Sequence, residues 1–372
     1  MKLLIAGDFC PQKGAADLFE QNKFGDVLDD VKKIILDADY SIVNFECPIC
    51  LGGEKPNLKR LSLFCKPSGL KAAKYAGLKC VTLANNHFRD WGDGGVNSTL
   101  KCCKNLNIDY VGGGENIEEA SRVLYKTIGN EKLAVINCCE HEFSLATENR
   151  GGSNPLNPIR QFRAIQAARK EANYVIVIVH GGHEHFQLPS TRMQETYRFF
   201  IDAGADAVVN HHQHCISGYE IYNKKPIFYG IGNFCFDYNI ANKETWYVGY
   251  MVALNLHSGG IDYEITPYVQ CQEEMKIKII SIQEIQKQLD NLNAIIADPA
   301  RISYETRHYY NDCMSSVESV IEPYTNCYIK GLRKRGLFPN IITKKWLMYL
   351  CNYVMCESHR DKLDYYFEKK IY

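Results

Sequence analysis

Short apolar runs alternate with helix-like segments along most of the chain. Most of these runs are rich in Val and Ile and lack the alternation of a half-exposed sheet, which is typical of strands covered on both faces. Residues 66–76 and 194–203, between them, have helical spacing, and Gly204 ends the second helix. Repeated strand, helix and strand predict a layered α/β fold. The predicted strands are residues 2–6, 40–45, 80–83, 132–137, 174–179, 207–209 and 226–229.

The pattern changes near residue 247. Residues 247–256 and 261–269 alternate apolar and polar positions on either side of residues 257–260, which predicts a β-hairpin. Strand patterns fade beyond about residue 272. We therefore expect one domain over residues 1–272.

The remaining residues, 273–372, have helical patterns. Ser281 and Glu284 have the spacing of a capping box, which predicts a helix that ends near residues 298–299. Near the C-terminus, a stripe of apolar residues falls on one helix face and predicts a packing surface. The stripe consists of Trp346, Leu347, Leu350 and Val354. We expect this region to form a helical C-terminal extension.

The charge balance excludes one class of partner. Among 372 residues, 43 Lys and Arg stand against 43 Asp and Glu, so the formal net charge is zero. A chain without a basic field has no general attraction for nucleic acid. We therefore expect no nucleic-acid partner, and any binding of anions must come from a local site.

Neither secretion nor membrane insertion is indicated by the sequence. The 16 cysteines follow no disulfide spacing, so we expect reduced thiols. The apolar run of residues 3–6 is too short for the core of a signal peptide, and no run approaches the ~18 apolar residues of a transmembrane helix. We therefore expect no transmembrane segment and a cytoplasmic location, with any membrane association made peripherally through a partner.

Polar residues with metal-binding chemistry follow the apolar runs directly. In an open α/β sheet the ligand crevice lies beyond the carboxyl ends of the strands, so five loops that are distant in sequence converge on one place. We therefore expect a single site at this edge. The residues at the strand ends are Asp8, Asn44, Glu46, Asn85, Asn86, His87, His180, Glu184, His211, His212 and His214.

The side chains at this predicted edge are carboxylates, amides and imidazoles. A mixed oxygen and nitrogen set without an obligatory thiolate suits Zn, Mn or Fe better than Ca. One ion would not use all of these ligands, whereas two ions about 3.5–4 Å apart, bridged by a carboxylate, would. The sequence therefore predicts two divalent metal ions, and a phosphoester is the natural substrate of such a pair.

The order of these motifs resembles the CapA family. CapA proteins are bacterial capsule synthesis proteins linked to poly-γ-glutamate, and their domain is similar to calcineurin-like metallophosphoesterases. The resemblance covers about residues 1–270 and implies a layered α/β sandwich of that type. The motifs that carry it are Gly7-Asp8, Asn44-Phe45-Glu46, Leu83-Ala84-Asn85-Asn86-His87 with Asp90 and Gly92, His180-Gly181-Gly182-His183-Glu184, residues 202–214 and residues 227–234.

The resemblance also implies a role for each position. Asp8 would bind the first metal, Glu46 would bridge and Asn86 would bind the second metal. The remaining ligands would be His180, His212 and His214. His87 occupies the place of the histidine that assists the leaving group in phosphoesterases, and Asp90 and Glu184 resemble additions of the CapA type near the pocket. Cys10 stands where a phosphoesterase usually has a histidine, and Glu46 where an aspartate is usual.

Two functions follow from these expectations. The first is a metal-dependent hydrolase of a phosphoester or related anionic ester, within capsule or poly-γ-glutamate synthesis. The alternative is a non-catalytic protein that uses the metal site to bind poly-γ-glutamate or another anionic polymer during synthesis or export. In either case the C-terminal helices are candidates for contact with other capsule-synthesis proteins.

Overall fold

The computed structural model describes residues 1–52, 61–237, 244–314, 316–317, 327–337 and 343–371. Its strands, numbered along the chain, are β1 (Lys2–Phe9), β2 (Tyr40–Phe45), β3 (Cys80–Thr82), β4 (Asp109–Val111), β5 (Gly113–Gly114), β6 (Leu124–Ile128), β7 (Glu131–Cys139), β8 (Gly152–Ser153), β9 (Tyr174–His180), β10 (Ala207–His211), β11 (Tyr219–Tyr222), β12 (Lys225–Phe228), β13 (Asn233–Cys235), β14 (Val248–His257), β15 (Gly260–Gln270) and β16 (Ile277–Ile279). Its helices are α1 (Gly14–Glu20), α2 (Phe24–Leu36), α3 (Pro67–Ala76), α4 (Gly92–Leu106), α5 (Ile117–Ala120), α6 (Pro158–Glu171), α7 (Thr191–Asp202), α8 (Ile282–Ile296), α9 (Pro299–Asp312), α10 (Cys327–Lys334), α11 (Lys344–Met355) and α12 (Glu357–Ile371). A short 3₁₀ helix covers Glu244–Trp246.

The strands form two mixed sheets and a small pair, β5 with β8. The order of the first sheet is β16-β15-β14-β1-β2-β3-β4, with β13 also paired to β1, and that of the second is β11-β12-β10-β9-β7-β6. The strands β1 to β4 are parallel to one another, as are β7, β9, β10 and β12. The strand β13 is also parallel to β1, and the remaining strands of each sheet pair antiparallel.

Helices cover the outer faces of the two sheets, whose inner faces pack on each other. Alternate residues of β1 show this arrangement: Leu3 and Ile5 belong to the apolar cluster that joins the sheets, while Leu4 and Ala6 pack with α1 to α4. A third cluster joins the second sheet to α6, α7 and α8. Both faces of the central strands are thus buried, and the predicted layered α/β sandwich is confirmed.

The predicted elements occur close to their expected positions. All seven predicted strands are present, although several are longer, as β1 is in continuing to Phe9. The hairpin is formed by β14 and β15. The capping box is also present: the Ser281 backbone amide donates to Glu284 Oε1 at 2.8 Å, and α8 begins there.

The apolar stripe predicted near the C-terminus is a packing surface only in part. Leu347 and Val354 are 51% and 50% exposed, whereas the polar Asn352 of the same helix is buried. The reason lies in the tertiary contacts of α11. The half-buried Tyr349 has its ring centroid 6.4 Å from that of Phe143, and the buried Asn352 donates to His359 Nδ1 at 2.8 Å.

The C-terminal region is helical as predicted, but the domain boundary at residue 272 stays a prediction. The strand β16 lies beyond that residue and pairs with β15. The helix α8 also places Ile285 and Leu289 in the cluster between the sheets. In the described ranges, none of the helices has both the length and the apolar character that crossing a bilayer requires.

A close backbone approach at Gly7 holds the end of β1 against β13. The Asp8 amide donates to the Gly232 carbonyl at 3.1 Å, and Asp8 then pairs with Asn233. A Cβ atom at Gly7 would lie 2.0 Å from the same carbonyl oxygen. The approach therefore requires glycine, and it fixes the position of the Asp8 side chain.

We predict that Gly7→Ala lowers the free energy of unfolding by about 3 kcal/mol, because a buried backbone contact must open to admit the methyl group. Urea unfolding measures this change. Gly331→Ala is the matched control, since no atom lies within 4 Å of a Cβ at that position. Equal stability of the two variants would contradict the proposed contact.

Candidate metal centre

The candidate metal centre lies where strands of both sheets end. Asp8 is the penultimate residue of β1, and Glu46 follows β2 directly. His180 is the last residue of β9, and His212 and His214 follow β10. Parallel strands present their carboxyl ends at the same edge of a sheet, so these side chains meet although they are far apart in sequence.

Two of these residues have an unusual backbone conformation. The φ angles of His212 and His214 are 95° and 55°, in the left-handed region that residues other than glycine rarely adopt. The resulting tight turn brings two histidines that are separated by one residue close to the same carboxylate. A donor atom of each lies within 4.8 Å of a Glu46 oxygen. The six predicted ligands are all buried, with exposed fractions of 0% for Asp8, 0% for Glu46, 5% for Asn86, 2% for His180, 4% for His212 and 5% for His214.

Glu46 belongs to two groups of potential metal ligands. One group comprises Glu46, His212 and His214, and the other Asp8, Glu46 and His180. Within each group the donor atoms all lie within 4.8 Å of one another. A carboxylate common to two groups is the arrangement expected of a bridging ligand.

The side-chain carbonyl of Asn86 adds an oxygen donor next to these groups. Its Oδ1 lies 3.1 Å from His180 Nε2, which lies 3.0 Å from His212 Nδ1 and 3.6 Å from Glu46 Oε1. Donors bound at about 2.0–2.2 Å to one ion lie roughly 3.0–3.5 Å apart in tetrahedral or octahedral geometry. The separations therefore fit a divalent cation, and the donor types suit Zn, Mn or Fe.

Asn44 orients the carboxylates of the centre. Its Nδ2 donates to Asp8 Oδ1 at 2.7 Å and lies 3.4 Å from Glu46 Oε2. The Thr82 hydroxyl donates to Asn44 Oδ1 at 3.2 Å, which fixes the amide in turn. Such outer contacts hold ligands in the geometry that metal binding requires.

Two histidines are oriented by side chains to which the sequence analysis gave no role. His214 Nδ1 donates to Asn233 Oδ1 at 2.9 Å, which leaves Nε2, 3.4 Å from Glu46 Oε1, as the ligand atom. Glu142 Oε1 lies 3.6 Å from His212 Nε2, on the side of the ring away from His180. Asn233 stands in one of the motifs named above, but Glu142 follows no predicted strand end and gave no signal.

Burial and local charge set the protonation states of the ligands. Burial lowers the pKa of His180 well below its usual value and lowers that of His212 to about 4, so both rings are neutral at pH 7. Burial alone would raise the pKa of Asp8, but hydrogen bonds to His214 and Asn44 and the nearby His211 and His214 together outweigh this and lower it. Burial alone would lower the pKa of His214, but contact with Asp8 raises it. Neutral imidazoles and ionised carboxylates are the forms that bind metals, so His180, His212 and Asp8 are in that form at pH 7, whereas His214 would release a proton on binding an ion.

His87 and Asp90 form a buried pair next to Asn86. His87 Nδ1 lies 2.7 Å from Asp90 Oδ2, which also accepts the Leu63 backbone amide at 2.7 Å. The carboxylate fixes the ring so that Nδ1 carries a proton. Asp90 is thus a positioning residue for His87.

Glu184 and Cys10 lie at the margins of the centre. Glu184 lines a cavity beside His212. Desolvation alone would raise the pKa of the Glu184 carboxyl, but the four nearby histidines His212, His214, His185 and His87 together lower it to about 2, so it is ionised. Burial raises the pKa of the Cys10 thiol to about 12.

A known bacterial protein family matches more than half of this chain. The model of the bacterial capsule synthesis protein family PGA_cap matches residues 2–238. The chain belongs to this family. The match includes all six candidate ligands as well as His87, Asp90 and Glu184.

Two curated relatives of this PGA_cap chain are CapA proteins. The capsule biosynthesis protein CapA of Bacillus anthracis is 33% identical over 246 residues, which cover 64% of this chain and 60% of that protein. The PGA biosynthesis protein CapA of Bacillus subtilis is 29% identical over 268 residues, which cover 71% of this chain and 70% of that protein. The chain thus spans 60% of the length of the first relative.

Solved structures with related folds are more distant. A phosphatase from Mycoplasma pneumoniae is 14% identical, with a TM-score of 0.46 over 78% of this chain and 98% of the other. A protein from Thermus thermophilus is 16% identical, with a TM-score of 0.46 over 73% of this chain and 99% of the other. Similarity at this level carries no information about function.

We predict that the metal-free PGA_cap chain loses stability between pH 6.5 and pH 5. The buried His180, His183 and His212 and the half-buried His359 have pKa values that desolvation lowers. In this range the unfolded chain binds protons that the folded chain excludes, so stability rises with pH by up to about 1.4 kcal/mol per pH unit for each histidine.

Urea unfolding in EDTA at several pH values measures this slope. His359→Gln should reduce the slope by about one proton, because the pKa of His359 is lowered to about 3. The control is His257→Gln, since that side chain is 49% exposed and lies on the hairpin. A slope that responds equally to both substitutions would contradict the prediction.

Proposed function

We propose that this chain is a metal-dependent hydrolase of a phosphoester or related anionic ester. The observation that carries the proposal is the sharing of Glu46 by two buried ligand groups. Divalent ions bound there would offset the charge of the ester and lower the pKa of a water molecule. The buried carboxylates of Asp8 and Glu46 leave two such ions with a net positive charge, which favours an anionic substrate.

In this proposal His87 acts on the leaving group. Its Nδ1 is held by Asp90, so Nε2 is the atom that would hand a proton to the departing oxygen. Asn86 and His87 are adjacent in the segment that follows β3, so a proposed metal ligand and the proposed proton donor lie on one loop. The buried Asp90 keeps the ring from rotating as the proton leaves.

The biological setting follows from the relatives. The two CapA proteins carry names that refer to capsule biosynthesis and to PGA biosynthesis. We propose that this chain acts in the synthesis of a capsule or poly-γ-glutamate, on an anionic intermediate or polymer. The C-terminal helices remain candidates for contact with partner proteins, and a cytoplasmic location remains part of the proposal.

We predict that the purified protein binds about two equivalents of Mn²⁺ or Zn²⁺. Asp8→Ala and Asn86→Ala should each remove about one equivalent, and Glu46→Ala should remove both because its carboxylate is shared. Elemental analysis after dialysis gives the counts. His257→Ala, which changes an exposed histidine, is the control. Unchanged metal content in Glu46→Ala would show that the centre is assigned wrongly.

We also predict release of 4-nitrophenol from 4-nitrophenyl phosphate that Mn²⁺ stimulates. His87→Ala should lower kcat about 10²- to 10⁴-fold, the usual contribution of a general acid, while the metal content stays that of the parent. Asp90→Asn should cause a smaller loss. The exposed His257→Ala should retain the activity of the parent.

The same assay separates the proposal from its alternative. A fully loaded protein that hydrolyses neither this ester nor other phosphoesters would overturn the hydrolase. Binding of poly-γ-glutamate that EDTA abolishes would then favour the non-catalytic binding protein. Equilibrium dialysis with the polymer measures this directly.

A further inference from the structure

A cavity of about 230 Å³ opens beside the metal centre, between the main body and the C-terminal helices. The wall on the body side includes Glu142, Glu184 and His212. The other wall comes from α9 and α12 and includes Tyr309, His359 and Lys362. The helical extension therefore forms part of the space that a substrate at the metal centre would enter.

The first turn of α12 is fixed to the body by a buried network of charges. Arg192 Nη2 donates to Glu140 Oε1 at 2.9 Å, and Arg192 also donates to both oxygens of Asp361 at 2.9 and 3.0 Å. The Ser358 amide donates to Glu140 Oε2 at 3.1 Å. Because the single guanidinium of Arg192 bridges the carboxylates of Glu140 and Asp361, this turn holds a defined position at the cavity.

The helix α9 is attached at a second point. The Tyr309 ring stacks on Phe186 with a centroid distance of 4.3 Å, and the Tyr310 hydroxyl lies 3.1 Å from His183 Nε2. Phe186 and His183 belong to the loop that follows β9 and contains Glu184. The cavity wall formed by the extension is thus joined to the loop that leads from His180.

His359 presents a defined hydrogen-bond donor. Asn352 Nδ2 donates to His359 Nδ1 at 2.8 Å. Burial lowers the pKa of His359 to about 3, so the ring is neutral and its single proton lies on Nε2. The Tyr353 ring stacks on the His359 ring, with a centroid distance of 4.9 Å.

Lys362 carries a positive charge on the same wall. Its Nζ lies 5.4 Å from the centroid of the Tyr309 ring, and among the described residues no carboxylate lies within ion-pair distance of it. The carboxylates of the cavity, Glu142 and Glu184, belong to the body side. An anionic group would therefore be attracted to the wall that α12 forms and repelled from the opposite one.

We propose that Lys362 and His359 bind a second anionic group of the substrate, a carboxylate or a phosphate, while the first anionic group lies at the metal centre. The subsite rests on the proposed function, since it assigns a second acidic group to the substrate of that site. It also gives the C-terminal extension a direct part in substrate selection. An ammonium and an imidazole N–H form charge-assisted hydrogen bonds to such a group.

Calorimetric titration of the Mn²⁺-loaded full chain tests the subsite without turnover. The probes are alkylphosphonates of increasing length whose far end is a methyl group. Each is compared with a probe of the same length whose far end is a carboxylate or a second phosphonate. We expect at least one acidic-ended probe to bind about tenfold more tightly than its methyl-ended counterpart, which corresponds to one charge-assisted contact. The relative gain for carboxylate and phosphonate ends identifies the preferred group.

Lys362→Ala should abolish this preference and leave binding of the methyl-ended phosphonates unchanged, which also shows that the variant is folded. Lys362→Arg should keep the preference. Arg360→Ala is the matched control, because it removes a positive charge from an exposed position of the same helix.

Two negative outcomes are distinguishable. The subsite is wrong if the parent binds methyl-ended and acidic-ended phosphonates equally at every length, or if Lys362→Ala still prefers the acidic-ended probes. Neither result affects the proposed hydrolase function. If no phosphonate binds the loaded parent, the proposed function fails, and the subsite fails with it.

Discussion

Two carboxylates without exposed surface, Asp8 and Glu46, impose the main requirement on this structure. A buried negative charge is stable only next to hydrogen-bond donors and compensating positive charge. Asn44 supplies donors, and His214 lies 3.4 Å from an oxygen of each carboxylate. In the metal-free chain the raised pKa of His214 favours its charged form, which supplies part of the compensating positive charge. Divalent cations bound there would meet it more fully, and their binding would then stabilise the folded chain.

The sandwich satisfies this requirement through its topology. Both sheets have parallel strands at their centres, and the ends of β1, β2, β9 and β10 bring ligands from each sheet to one edge. The contact between Gly7 and Gly232 and the left-handed turn at His212 and His214 are local adjustments to that common plan. The apolar layers supply rigidity, and the polar strand ends supply the chemistry.

Much of this was predictable because its signals are local. Runs of Val and Ile reveal buried strands, and a polar residue that follows such a run reports its place at the strand end. Contacts between distant segments leave no such signal. The pairing of Glu140 with Ser358 joins residues 218 positions apart, and the buried Asn352 donates a hydrogen bond to His359. The prediction of a packing surface from the apolar stripe of α11 held only in part for the same reason, since contacts between distant segments also bear on which face of the helix is buried.

The backbone at His212 and His214 has a consequence for how this fold can change. A left-handed conformation at a residue with a side chain costs of order 1–3 kcal/mol, and glycine would relieve it. Mutations that increase the stability of the fold would therefore favour glycine at the two positions where the proposed metal centre needs an imidazole. Descendants that have abandoned metal chemistry should be recognisable by glycines in this turn, and by greater resistance to heat.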